Sequence, residues 1–161
     1  MDELLRMEQP VTLAAVSAVL VFLIFLLIGL GFWQARRLGR RFRGKALDEM
    51  EGHDFEYFCA DLLRRHGFDE VEVTKASGDY GVDVLAEKDG VTYAVQCKRY
   101  DAPVGVKAVQ EACAGREYYD RMVGAVMTNQ YFTQPAVEAA KKLKILLWDR
   151  GYLESMMEER V

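Results

Sequence analysis

Cysteine is scarce in this 161-residue chain and shows no pairing pattern. Cys59, Cys97 and Cys113 are odd in number, and none stands in a C-x-x-C. That excludes a disulfide framework and a cysteine-built zinc site, and leaves reduced, partly buried thiols in a cytoplasmic domain. No internal repeat or low-complexity segment stands out beyond one basic stretch, so the chain is not a repeat array. Its two histidines, His53 and His66, fall at the two ends of one predicted helix, where dipole and capping roles account for them. An excess of positive charge is also missing from most of the chain. Residues 46–161 carry 14 lysines and arginines against 22 acids, a formal balance of −8. Such a balance argues against a tight, non-specific nucleic-acid binder but leaves room for a catalytic domain with a local basic cleft.

Charge is absent altogether from Val11 to Trp33, a run of 23 residues. As a helix that run would rise roughly 34 Å, enough to cross a bilayer with some tilt. A core helix of that length in so small a domain would have no partner to cover its whole circumference. A cleaved signal peptide expects a positive start and a shorter apolar stretch. Here the first ten residues carry Asp2, Glu3 and Glu8 against Arg6. Arg36, Arg37, Arg40, Arg41, Arg43 and Lys45 follow the run, and positive charge after a span marks its cytoplasmic side. Topology and attraction to anionic lipid account for that basic stretch. The expected organisation is a short extracytoplasmic tail at 1–10, a transmembrane helix at 11–33, a basic juxtamembrane linker at 34–45 and a folded domain at 46–161. The protein is then a single-pass cell-membrane protein with its C-terminal domain in the cytoplasm.

Within 46–161, "FEYFCADLLRRHGF" spaces Phe55, Phe58, Cys59, Leu62 and Leu63 for one face of a helix closed by Gly67. "VEVT" reads as a short strand, and "YGVDVLAEK" and "VTYAVQCKRY" as strands of a hairpin turning at Asp89-Gly90. A helix follows over "VGVKAVQEACAGREYY", with Val106, Val109, Cys113 and Tyr118 facing inward. "MVGAVMTN" and "ILLW" read as buried strands, separated by a helix with Pro135 in its first turn and followed by a terminal helix. The order α-β-β-β-α-β-α-β-α predicts an α/β fold, a mixed sheet with helices on both faces.

Two polar residues interrupt this apolar pattern on one strand. Gln96 and Lys98 share a face of "VTYAVQCKRY", and the hairpin can bring Asp83 beside them. A carboxylate between Val82 and Val84 in mid-strand is costly to bury unless it is paired or bound to metal. Glu56 projects from the flank of the first helix. Asp83, Glu56 and the Gln96 amide oxygen are hard oxygen ligands suited to Mg²⁺. Lys98 can stabilise charge developing on phosphorus or depress the pKa of an attacking water.

Asp83, a hairpin and then Gln96-x-Lys98, with Glu56 in the preceding helix, resembles the PD-(D/E)xK nuclease superfamily. The closer likeness is to its Mrr-like restriction endonuclease family, in which glutamine replaces the acidic residue. Gly78-Asp79-x-Gly81-x-Asp83, "TNQYFT" and "LLWDRGYL" are similar to further parts of that family. The resemblance spans about residues 50–155 and implies a restriction-endonuclease-like fold that hydrolyses DNA phosphodiesters with Mg²⁺. It further implies Asp83, Gln96 and Lys98 as the catalytic set, and Glu56, Asp83 and Gln96 around the metal. Gln96 carries one negative charge fewer than the wider superfamily has at this position, which weakens metal binding. Mrr-type enzymes usually carry a separate DNA-reading domain, whereas here a membrane helix is expected in its place. Cutting both strands needs two sites, which admits a homodimer.

Single residues also have plainer readings. Asp83 and Lys98 could form a structural salt bridge. Tyr80, Tyr118 and Tyr119 could stack on bases, but core or rim packing is the expectation under ordinary burial preference. Two other functions remain open: a nuclease-fold module that binds DNA at the membrane without cutting it, and a tethered interaction protein that uses the old site for a protein partner.

Overall fold

The uncharged N-terminal run and the acidic remainder fall into two compact units, Met1–Phe42 and Arg43–Val161. The computed structural model describes residues 19–31, 46–74 and 80–159. In the first unit, residues 19–31 are helical and exposed throughout, including Phe22, Phe25, Leu27 and Ile28. Thirteen helical residues rise about 20 Å, short of a hydrocarbon core about 30 Å thick. Among the described residues no helix is long and apolar enough to cross a membrane. Of the predicted span 11–33, residues 19–31 are described, and these are helical. Its remaining residues, the tail 1–10 and the linker 34–45 lie outside the described residues, as does Asp79.

In the second unit the elements run α1 (Gly52–Arg65), β1 (Asp69–Val73), β2 (Val84–Lys88), β3 (Val91–Lys98), α2 (Val106–Tyr118), β4 (Val123–Thr128), α3 (Gln134–Leu143), β5 (Ile145–Trp148) and α4 (Arg150–Glu158). This is the order the periodicities predict. One five-stranded sheet keeps the strands in sequence order, β1-β2-β3-β4-β5. The first three are antiparallel, and β3, β4 and β5 are parallel through the crossover helices α2 and α3. Asp89 and Gly90 turn the β2–β3 hairpin with φ of 53° and 77°, the pair of positive angles a type I′ turn requires.

Period-two alternation divides the sheet between two layers. Val84, Ala86, Val95, Cys97, Ala125 and Met127 face α1 and α4, meeting Phe55, Cys59, Leu63, Leu153 and Met156. Val126 and Ile145 face the other way, against Val109 and Ala112 of α2 and Ala136 and Ala140 of α3. Ala108, Ala112 and Gly115 make the buried face of α2 a small-residue one, so this helix lies close to its neighbours.

Two predicted details differ. Strand β2 starts at Val84, so Asp83 stands just before the strand rather than in its middle. Tyr80 and Gly81 adopt left-handed backbone angles, φ of 48° and 81°, which turn the chain there. Tyr118 points outward, 57% exposed, and its ring stacks 3.7 Å from that of Tyr80. The helical spacing would have turned it inward, but Gly115 and Ala112 take up the contact surface instead.

Candidate active site

Strand register brings Asp83 to Gln96. Val84 pairs with Val95 in the antiparallel ladder, so the residue before one lies opposite the residue after the other. The Asp83 amide donates to the Val95 carbonyl at 2.9 Å, continuing the ladder one residue beyond β2. Both side chains are buried. Asp83 Oδ2 accepts a bond from Gln96 Nε2 and another, at 2.6 Å, from the Cys97 backbone N–H. The Gln96 amide nitrogen also donates to the Cys97 carbonyl at 3.4 Å, whereas its Oε1 atom is buried with no hydrogen-bond partner. Such an orphaned acceptor carries a desolvation penalty that a ligand can relieve.

Lys98 lies two residues on, with its side chain 19% exposed. Its ion pair is with Glu111 of α2, Nζ to Oε2 at 2.9 Å, and not the Asp83 bridge considered from the sequence. Burial works to lower the Lys98 pKa. The Glu111 hydrogen bond and charge outweigh it, with Asp83 and Tyr100 adding, and the net shift is upward. Lys98 is thus a standing cation at neutral pH. The Cys97 thiol is also held protonated: Cys59 beside it, burial and the charges of Asp83 and Glu56 all push its pKa well above the usual value. It is no nucleophile. The Glu56 carboxylate turns to His53 Nδ1 at 3.1 Å, so His53 partners a side chain rather than capping the helix.

The donor set fits a divalent cation of the Mg²⁺ kind. Asp83 offers a carboxylate, and Gln96 Oε1 is a hard oxygen with no other use. Among the described residues no three His, Cys, Asp or Glu gather into a cluster. A lean set suits Mg²⁺, which takes one or two protein ligands and keeps several waters or phosphate oxygens.

Residues the sequence reading did not single out hold the chain beyond Lys98. Asn129, fully buried, accepts from the Tyr100 N–H and donates to the Tyr100 carbonyl, each at 2.9 Å. Its amide also donates to Asp48 at 2.9 Å, and Arg150 grips both Asp48 oxygens at 2.9 Å. Arg99 donates to the Asp48 carbonyl. The Arg150 hydrogen bond is the main cause of a lowered Asp48 pKa, opposed by burial and helped by Asn129. A depressed carboxyl pKa stabilises the fold above the unfolded value of about 3.9, and that contribution disappears as pH falls through the folded value. Asp48→Asn is expected to lose about 1 kcal/mol or less at pH 7, since the side chain is 38% exposed. The melting temperature of Asp48→Asn should converge on the parent's below about pH 4. A difference that persists unchanged at pH 3 would contradict this assignment.

The aromatic cleft lined by Phe68, Tyr93, Trp148 and Tyr152, about 540 Å³, sits at the opposite ends of β2 and β3 and contains none of these residues.

A family model described as "Restriction endonuclease", Mrr_cat, matches residues 47–157. No curated protein matches the chain. Among solved structures it is similar to a protein of unknown function, AF1548, at 27% identity and a TM-score of 0.58, over 67% of this chain and 66% of that one. It is similar to the MspJI restriction endonuclease in complex with a 27-mer oligonucleotide, at 18% identity and a TM-score of 0.57, over 76% and 31%. The DNA modification-dependent restriction endonuclease AspBHI gives 19% identity and a TM-score of 0.54, over 71% and 34%. The chain thus spans just under two thirds of the first structure and about a third of the other two. At such identities the last two likenesses concern the fold alone.

Proposed function

We propose, for a chain that belongs to the Mrr_cat restriction endonuclease family, a membrane-anchored, Mg²⁺-dependent endonuclease that hydrolyses DNA phosphodiesters. The observation that carries the reading is the buried, unpartnered Gln96 Oε1 beside the Asp83 carboxylate, with charged Lys98 two residues away. Asp83 and Gln96 Oε1 would hold the metal, and Glu56 would support it from α1. A bound Mg²⁺ would polarise a phosphate oxygen and orient a water. The chain's own residues do the rest. Lys98, being protonated, cannot take the proton of the attacking water; it sets a positive charge against the phosphate as negative charge grows there. Gln96 donates to Asp83, fixing the carboxylate and aiming its own oxygen in one geometry. The Cys97 N–H holds the other side of the same carboxylate oxygen.

Supercoiled plasmid incubated with the full-length protein should be nicked or linearised with Mg²⁺ and left intact with chelator. Cleavage unaffected by chelator would overturn the metal assignment. Gln96→Glu should tighten Mg²⁺ binding by restoring a charge.

One observation favours a second reading. With glutamine at the family's acidic position and no cluster of three charged ligands among the described residues, the site is poor in negative charge. A module that binds DNA without cutting would retain plasmid in the same mixtures and leave it supercoiled.

Anchoring is supported by the uncharged run 11–33 and by the exposed apolar helix over 19–31. The folded unit then stands on the cytoplasmic side, where DNA is. Double-strand cutting would take two copies. Full-length protein recovered entirely in the supernatant of salt-washed cell membranes would count against the anchor.

A further inference from the structure

We propose that Glu111 is a positioning residue for this site: its carboxylate, carried by α2 against Gly81, holds the Lys98 ammonium in one position, from which it meets the scissile phosphate. The inference rests on the nuclease reading and adds a residue outside the family motif. A lysine has a flexible four-carbon stem and, left alone, samples many positions. Lys98 is instead tied at 2.9 Å to Glu111 Oε2. The other oxygen, Oε1, lies 3.6 Å from Lys107 Nζ, one turn earlier on the same helix and 88% exposed. That weaker pair steadies the carboxylate without competing for Lys98.

Backbone contact fixes where the carboxylate stands. Gly81, with φ of +81°, presses on α2 so closely that a Cβ there would lie 2.9 Å from both Glu111 Cβ and Glu111 O. Gly81 opens the short run that delivers Asp83, so a single contact between turn and helix sets both the ligand carboxylate and, through Glu111, the lysine. An ammonium has three protons. Glu111 takes one, and two remain for phosphate oxygens.

Glu111→Ala should lower kcat on plasmid DNA about ten- to a hundred-fold, the scale of losing an aligned group, with KM nearly unchanged. Glu111→Gln, which keeps an acceptor oxygen, should recover part of that loss. In a Lys98→Ala background, Glu111→Ala should cost nothing further, because the two act as one unit. A merely structural role would give the same loss in both backgrounds, and that result would overturn the proposal, as would a parental rate in Glu111→Ala. A second readout needs neither metal nor DNA: Lys98 ammonium protons, slowed in exchange by the ion pair, should give an NMR signal in the full-length protein that vanishes in Glu111→Ala. A signal that survives overturns the positioning role. A parent protein that never cuts overturns the nuclease reading instead, and the NMR signal still decides the role of Glu111.

Discussion

Lys98→Ala is expected to slow metal-dependent cleavage on the order of 10²–10³-fold, the scale for losing one pre-organised electrostatic contact, while divalent-metal binding survives. The ammonium is not a ligand, and its partner is Glu111 at the rim of the site. Its removal therefore strands no buried acceptor. Asp83→Ala has a different signature. It deletes the charged ligand of the Asp83–Gln96 pair, orphans the buried Cys97 N–H donor and leaves Gln96 Nε2 only its long 3.4 Å bond to the Cys97 carbonyl. An orphaned donor costs about 1–3 kcal/mol, so metal binding, cleavage and melting temperature should fall together. Calorimetric titration with Mg²⁺ or Mn²⁺, plasmid nicking and thermal melting on the same preparations separate the cases. If both variants proved equally unstable and equally silent in titration, the residues would be structural. If both cut at the parental rate, the site would lie elsewhere.

Gly115→Ala should destabilise the domain strongly. The added Cβ would sit 2.2 Å from Val82 Cγ2, 2.9 Å from the Tyr80 carbonyl and 3.2 Å from that of Gly81. Two of those neighbours are backbone. Val82 has no exposed surface and packs with Leu85, Ala94 and Tyr119. Relief therefore requires α2 to back away from the turn, at a cost of about 1–3 kcal/mol. For a domain of this size that lowers melting by about 5–15 °C. The same retreat carries Glu111 off Lys98, so cleavage should weaken even at temperatures where the variant is folded. Gly52→Ala is the matched control, since nothing lies within 4 Å of its Cβ position. Equal melting shifts in the two variants would rule out the close approach as the cause.

Local pattern made much of this fold legible. The stripe of α1, the alternation of β3, the Asp89-Gly90 turn and the apolar runs of β4 and β5 are signals a few residues long. The Asp83–Gln96 pairing was legible too, because a tight hairpin fixes register. The turn at Tyr80 and Gly81 was legible only in part, through the glycine, which signals a sharp turn and a close backbone approach. It interrupts an alternation that reads as continuous strand, and the positive φ angles fix where the chain turns. Glu111 resembles any surface glutamate on a helix, and its meaning comes from a strand 13 residues away. Tyr118 sits at core spacing on a helix whose core face is alanine and glycine around Val109, so spacing alone misplaced it. Asp48 and Arg150 are separated by 102 positions and carry no shared signal in the sequence.

That last separation bears on how the protein is made. Every strand pairs with the one synthesised before it, so the sheet can grow in the order the ribosome releases it, with no early strand waiting exposed for a late partner. The contacts of the last helix are different, the Asp48–Arg150 bond and the 2.7 Å bond between His66 and the Met156 carbonyl among them. The Asp48–Arg150 bond joins the first described residues of the folded unit to the start of the last helix, and it cannot form until that helix has left the ribosomal tunnel. The segment that braces Arg99, Tyr100 and Asn129 is thus completed last. A chain truncated before Arg150 would keep every strand of the sheet yet lack this clasp, so the firmness of the segment beside the site depends on residues that follow the last strand.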